Sequence, residues 1–436
     1  MSAGKFLKKY LYVLILLTGI CFLLVIGTVN AKSDRISENS LPVLEISLKD
    51  ITIEELHNES KDIRYAGNEV TVQEPQSGKQ YTISDVEVKG RGNSSWKMPK
   101  RSYQIKFAQE ISLLDMEPAR TWLLIANYAD ASLMRNKLMY DLAGEMMDYV
   151  QESRYVDLWI EDEYLGNYLL CEKVQVSEGR VALKENDGLL VEVDNIYFYE
   201  SEERFQSPIS GSHFILKDSK ANDLEKEDSA AREAFAEFES YIQQFESLLY
   251  AEEKEWSAIR ELIDVESFVK YYFIEELAEN SDSCRTSIYM YKDGAEDQLH
   301  MGPVWDFDKA VGYSQRGKYG GDTDADYVAN IQEYMGNTKE LTWYMELFKI
   351  PEFQEEANRI YQEQIKDTFS EIGERMNSYQ LEIQKSADRN YERWDISEIP
   401  EVCDHEPYQY IIWEDSVEDL KIWTEERVTY LSGKYR

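Results

Sequence analysis

Two runs decide how this chain is read. They are Asn280-Ser281-Asp282-Ser283-Cys284-Arg285-Thr286-Ser287-Ile288-Tyr289-Met290-Tyr291-Lys292-Asp293 and Gly302-Pro303-Val304-Trp305-Asp306-Phe307-Asp308-Lys309. The first leaves a helical, aromatic-rich pattern over 265–279 and enters a strand-like stretch at 287–291, closed by the turn Lys292-Asp293-Gly294. The second follows a short segment, 300–305, and ends on two aspartates. Two short strands of one hairpin would bring Asp282, Asp306 and Asp308 together. Carboxylates gathered in that way can hold Mg²⁺, which prefers oxygen ligands and bridging phosphates. One of them could instead accept the proton of an attacking hydroxyl. Spacing alone makes this a weak signal, because aspartate is common at strand ends and turns.

Upstream the pattern is β-like. Leu44, Ile46 and Leu48 alternate with Glu45 and Ser47, and 86–89 and 103–107 alternate as well. Gly90-Arg91-Gly92-Asn93-Ser94-Ser95 is a turn signal between two of these strands. Asp130-Ala131-Ser132 reads as a helix N-cap before Leu133, Leu138, Leu142 and Met146. Strand patterns resume at 155–160, 168–172, 188–193 and 213–217. Downstream the character changes. A long acidic amphipathic helix is expected over 221–250, a Gly-rich acidic loop over 312–326, and mostly helix from about 339 to the end. There is no internal repeat. A β-rich first part with one helix, followed by a helix-rich second part, predicts an α+β fold with two lobes, about 43–218 and 219–436.

Composition bounds the partners. The 436 residues carry a net charge of −37, with 43% hydrophobic and 13% aromatic residues, as a globular chain with a sizeable core would. Lys5, Lys8 and Lys9 are the only charged residues before position 32, which leaves 44 basic against 84 acidic side chains in the remainder. Such a surface repels nucleic acid and anionic membranes. It also repels a nucleotide, so a nucleotide site would need a local basic pocket and a divalent metal.

The three lysines precede an apolar run from Tyr10 to Val29, about long enough to span a bilayer, and Val29-Asn30-Ala31 resembles a cleavage site. Residues 1–31 therefore read as a signal peptide or a single membrane anchor, 32–42 as a tether and 43–436 as an exported domain. Either form predicts an extracytoplasmic or secreted protein. Cys21, Cys171, Cys284 and Cys403 form no disulfide framework and no zinc pattern. Asp322-Thr323-Asp324-Ala325-Asp326, with Glu333, has some of the spacing of a calcium loop. Tyr327 stands where that loop needs glycine, so a solvated acidic loop is the plainer reading.

The two opening runs resemble the core of the spore coat protein H (CotH) family of atypical kinases. Three further blocks carry the same resemblance in order: Arg91-Gly92-Asn93-Ser94-Ser95-Trp96 with Pro99-Lys100-Arg101-Ser102-Tyr103-Gln104-Ile105-Lys106-Phe107; Asp130-Ala131-Ser132-Leu133-Met134-Arg135-Asn136-Lys137; and Glu163-Tyr164-Leu165-Gly166 through Glu172-Lys173. The resemblance implies a divergent protein kinase-like fold using ATP and Mg²⁺ or Mn²⁺. It puts Asp306 at the metal-binding aspartate of the kinase Asp-Phe-Gly motif, with Asp308 in place of its glycine as a further metal ligand. Asp282 falls near the catalytic-loop aspartate, as base or second metal ligand. Ser287 stands where a metal-binding asparagine belongs, and the catalytic-loop histidine and arginine are absent.

Lys106 is the first choice for the lysine that contacts phosphate and Lys100 the second, with an exposed strand lysine as the alternative for Lys106. The turn at Arg91 resembles a phosphate-covering loop or a plain hairpin. Arg135 could serve phosphate or a salt bridge. Glu172 resembles the inter-lobe connector beside adenine or has a structural role, and Trp305 packs beneath the metal site or stacks on the nucleotide.

The first expectation is thus an exported Mg-dependent kinase acting on Ser or Thr hydroxyls of a protein, such as a coat or cell-surface protein. The alternative is a non-catalytic surface or spore-coat binding module that keeps the fold. A metal-dependent hydrolase ranks last, because only four histidines exist and only His300 lies near the motif.

Overall fold

In the computed structural model, residues 41–197, 202–221, 229–313, 323–328, 341–400 and 412–436 are described. The expected signal or anchor segment, most of the tether, Asp322, Glu333 and Cys403 lie outside them. No helix among the described residues is long and apolar enough to cross a membrane.

The alternating segments of the first part form strands, but they do so as a closed barrel, which the sequence pattern did not reveal. Strands β1 (Val43–Ser47), β2 (Tyr65–Glu74), β3 (Lys79–Arg91), β4 (Ser102–Ile111), β5 (Ala119–Ile125), β6 (Ser153–Ile160) and β7 (Glu163–Glu172) run in the order β1-β2-β3-β4-β5-β7-β6. The seam is the parallel pair β1–β6, with Leu44 opposite Leu158. Closure removes both exposed sheet edges, and strand twist and tilt allow it. One face of each strand fills the interior: Leu44, Ile46, Val88, Ile105, Trp122 and Leu170 are fully buried there. A short helix, α1 (Ile53–Asn58), joins β1 to β2 and carries a capping box between Thr52 and Glu55.

The outer face of β5, β6 and β7 is apolar too. Leu123, Ile125, Tyr155, Leu169 and Cys171 belong to a second core with Leu138, Met139 and Leu142 of helix α2 (Arg135–Gly144). These strands are therefore buried on both sides, which anchors the barrel to the rest of the chain.

A second, antiparallel sheet has the order β12-β11-β8-β10-β9, from β8 (Leu189–Val193), β9 (Arg204–Gln206), β10 (His213–Ser219), β11 (Ile288–Lys292) and β12 (His300–Met301). The sheets divide after Glu172. Strands β8 and β10, expected as strands at 188–193 and 213–217, pair with each other and, through β8, join β11 from the second half, with Tyr289 opposite Glu192; β9 pairs with β10.

Helices cover this sheet. In α3 (Ala230–Leu249), Phe235, Phe238, Ile242, Phe245 and Leu249 make the buried stripe. It starts at 230 because the Ser229 hydroxyl accepts the Arg232 amide at 3.1 Å and caps it. The other α-helices among the described residues are α4 (Trp256–Leu262), α5 (Val265–Ala278), α6 (Trp343–Leu347), α7 (Pro351–Ile360), α8 (Lys366–Ser370), α9 (Ile372–Arg393), which packs against β7 of the barrel, and α10 (Trp413–Lys434).

Candidate active site

Helix α5 delivers the first aspartate. Asp264 caps its start by accepting the Ser267 amide at 2.7 Å. Its end is set by Glu279, whose φ of 46° lies in the left-handed region and turns the chain out of the helix. The next residues stabilise a tight turn through their own short side chains. Asn280 Oδ1 accepts the Asp282 amide at 3.1 Å, and the Asp282 carbonyl accepts the amides of Arg285 at 2.9 Å and Thr286 at 3.1 Å. Ser287, with φ of 59°, then leads into β11.

The hairpin β11–β12 pairs Met290 with Met301 and Tyr291 with His300, so its open end brings the chain after Met301 back beside the chain before Ile288. Asp306 and Asp308 follow on that return path. Asp306 itself has φ of 68°, a conformation an aspartate holds only at a cost of order 1 kcal/mol or more. The surroundings fix it there. Asn136 Oδ1 on α2 accepts the Phe307 amide at 2.8 Å, and Phe307 is fully buried. Arg135 Nε donates to the carbonyls of Ala310 at 2.9 Å and Val311 at 3.1 Å. The Val311 amide donates to Ala278 at the end of α5 at 2.6 Å. Trp305 stacks on Tyr140 at 5.6 Å with 15° between the rings, and the Arg91 guanidinium lies 4.8 Å from the Trp305 ring. Trp305 is thus a packing residue under the loop.

The three aspartates share one electrostatic field. Burial pushes the Asp282 carboxyl up to about 6, the neighbouring Asp306 charge adds to that, and Arg285 and Lys309 pull it back. Burial also raises Asp306 against the pull of Arg91 and Lys309. Asp308 rises through burial and then through Asp306, with Asp130 and Asp282 contributing and Lys309 opposing. The local cations that an acidic chain needs beside a nucleotide are therefore Arg91, Arg285 and Lys309. Arg285 Nη2 sits 3.5 Å from Asp282 Oδ1.

No three His, Cys, Asp or Glu side chains among the described residues converge closely enough to enclose a metal ion unaided. The donor set still suits Mg²⁺. That ion is commonly held by one or two carboxylates and completes its shell with phosphate oxygens and water.

The remaining sequence candidates fall in different places. Arg91 ends β3 and is at the site. Lys106 is half-buried on β4, opposite Glu87 and Thr121, and is not among the cations acting on the three aspartates. Lys100 is buried away from them. Its ammonium donates to the Asn167 carbonyl at 2.5 Å and to Asn390 Oδ1 on α9 at 2.8 Å, and it lies 4.8 Å from the Tyr168 ring. Desolvation pushes its pKa well below the usual lysine value. Its ammonium is thus engaged by protein acceptors within the fold.

Arg135 is 2.5 Å from Asp130 Oδ1 and uses its Nε on the loop carbonyls, so it is built in as the salt bridge, not as an exposed phosphate ligand. Glu172 accepts the Glu152 amide at 2.9 Å and faces Arg180 at 3.5 Å, a structural role at the end of β7. Asp326 accepts the Tyr430 hydroxyl at 2.9 Å and pairs with Lys434, so it is engaged with α10.

Sequence reasoning missed Lys309, Arg285 and Asn136 as parts of the site. Lys309 and Arg285 were adjacent to the quoted aspartates, but a basic residue in an acidic chain reads first as a surface charge. Asp130 was read as part of a helix N-cap, but the cap position of α2 is Met134, without a side-chain cap bond; Asp130 instead accepts the Arg135 amide at 2.9 Å from the preceding turn, and its charge also reaches Asp308.

The family model described as CotH kinase protein matches residues 88–431. No curated protein matches the chain. Among solved structures, the crystal structure of a Helicobacter pylori proinflammatory kinase CtkA is 10% identical, covering 76% of this chain and 94% of its own, with a TM-score of 0.27, a likeness too loose to align residues. The family match spans well over half of the chain and contains every aspartate of the site, and the chain belongs to the CotH kinase protein family.

Proposed function

We propose that this protein transfers the γ-phosphate of ATP to a Ser or Thr hydroxyl of a protein substrate, and that it does so on the extracytoplasmic side of the membrane or after secretion. The observation that carries the proposal is the shared field of Asp282, Asp306 and Asp308 at the open end of the β11–β12 hairpin, with Arg91 and Lys309 as the local cations. The two-lobed kinase architecture belongs to the same proposal, with the barrel as one lobe and the second sheet with its helices as the other.

In this reading Asp306 and Asp308 would hold Mg²⁺ or Mn²⁺, which would offset the negative charge of the nucleotide phosphates. Asp282, with its carboxyl raised to about 6, is ionised at neutral pH yet basic enough to accept the acceptor hydroxyl's proton. The hydroxyl oxygen bonds to the γ-phosphorus as the bond to the bridging oxygen breaks, and ADP leaves. Arg91 and Lys309 offset the phosphate charge. The test is incorporation of γ-labelled phosphate with Mg²⁺ or Mn²⁺, which Asp306→Ala abolishes if the reading holds.

A second reading, a non-catalytic surface or coat module, is favoured by one observation. By the family resemblance a serine, Ser287, stands where an asparagine ligand is expected, and its φ of 59° is left-handed. Metal-dependent thermal stabilisation by ATP separates the two, because a pure scaffold gains none.

A further inference from the structure

The carboxyl-terminal helix α10 reaches the base of the Asp282 loop through one side chain. Arg427 is fully buried. Its Nε and Nη2 donate to the Glu276 carbonyl at 3.2 and 2.9 Å, and Nη2 lies 2.5 Å from Glu276 Oε1. Its Nη1 donates to the carbonyls of Thr323 at 3.2 Å and Ala325 at 2.5 Å and lies 3.5 Å from Glu279 Oε1. Glu276 is buried as well, and its two carboxylate oxygens accept the amides of Tyr327 and Val328, each at 2.7 Å.

Three pieces of backbone therefore meet on one ion pair. They are the last turn of α5, the segment 323–328, and α10. The Glu276 carbonyl belongs to the last turn of α5, where it accepts only the long Glu279 amide bond at 3.4 Å, so the two Arg427 donors add to the capping of that end. Glu279, which makes the left-handed exit toward Asp282, is within the same ion network. The segment 323–328 comes close to the catalytic loop in turn. The buried Tyr327 phenol feels the charges of Glu279, Arg285 and Asp282.

A buried ion pair is weak evidence for stability, since its desolvation cost offsets much of its attraction. What this one achieves is geometric. It ties the start of the Asp282 loop and the segment downstream of Asp308 to the same helix.

We propose that Arg427 is a positioning residue for Asp282, and that α10 is thereby part of the working site. The turnover arm of the test rests on the kinase reading; the exchange arm does not. The variants are Arg427→Met and the double variant Arg427→Met/Glu276→Gln, in which the carboxylate is not left charged and unpaired. Both are made in the full chain.

Hydrogen exchange is read at the Tyr327 and Val328 amides and across 279–286. The expected result is at least tenfold faster exchange at these sites, with the barrel amides unchanged. For phosphoryl transfer, kcat falls at least tenfold while the Kd for ATP with Mg²⁺ stays within twofold, a split that general loss of folded protein does not produce. Unchanged exchange at 279–286 in the folded double variant overturns the proposal, whether or not the protein transfers phosphate. Faster exchange with wild-type kcat overturns it too. If the wild type transfers no phosphate, the kinase reading fails, and the exchange result alone decides whether Arg427 holds the loop.

Discussion

Asn136 Oδ1 accepts the Phe307 amide at 2.8 Å, so a side chain on α2 holds the backbone that immediately follows Asp306. The same asparagine donates from Nδ2 to Asn127 Oδ1 at 2.9 Å, which fixes its own orientation. Asn136→Ala leaves a buried amide without a partner, a loss of about 1–3 kcal/mol. It also releases Asp306 from its left-handed conformation. The expected outcome is lower stability in urea unfolding together with weaker metal-dependent ATP binding by calorimetry.

Asp306 and Asp308 are expected to contribute unequally to metal binding. If the site binds MgATP as proposed, wild type at a nucleotide–metal concentration far above Kd is expected to gain stability by mass action, about 2.7 kcal/mol at a hundredfold excess. Asp306→Ala abolishes that gain. Asp308→Asn reduces it but raises the stability of the metal-free protein above neutral pH, because it removes one of three mutually repelling carboxylates. Thermal unfolding with and without MgATP reads both.

Glu275 gives a pH dependence with a definite sign. Burial raises its carboxyl to about 8, with the charge of Asp282 adding, while Asn280 and Tyr271 donate to it and oppose the rise. Its folded value lies above the unfolded carboxylate value, so its contribution to stability is fully present in acid and is lost as pH rises through about 8. Glu275→Gln, neutral throughout, matches wild type near pH 5 and exceeds it above pH 8 in denaturant midpoint. A variant less stable than wild type at every pH contradicts the assignment.

Lys100 separates a structural lysine from a phosphate ligand. Lys100→Met leaves the Asn167 carbonyl and Asn390 Oδ1 without their donor at the barrel–α9 contact. Stability falls by about 1–3 kcal/mol. The Kd for ATP measured on the folded protein stays unchanged. For Arg91→Ala, whose charge acts on Asp306, the expected order is reversed: weaker ATP binding and little change in stability.

The legible part of this molecule was its local pattern. Leu44 and Ile46 alternate and are buried inside the barrel, and the apolar stripe of 235–249 is the buried face of α3. The hairpin that returns Asp306 toward Asp282 followed from two short strands and a Lys292-Asp293-Gly294 turn. Closure of the barrel was not legible, because the seam pairs Leu44 with Leu158, residues whose alternation says nothing about which strand lies beside them. Strands β8 and β10 were recognised as strands, but their pairing with each other and of β8 with β11 was not legible for the same reason. Among charged residues, sequence could nominate Lys100, Arg135 and Glu172 but could not show that their partners Asn390, Asp130 and Arg180 enclose them. Long-range enclosure of that kind is a property of packing, and one strand's periodicity does not encode it.

Asp306 is the proposed ligand of the metal in a phosphoryl-transfer site. The most direct measurement is incorporation of γ-labelled phosphate by purified wild type and Asp306→Ala, with MgATP and with MnATP, supplied with a mixture of Ser/Thr-containing acceptor proteins. The expected result is metal-dependent incorporation by wild type that falls at least a hundredfold in Asp306→Ala while the variant remains folded. Equal incorporation by the two proteins would contradict it.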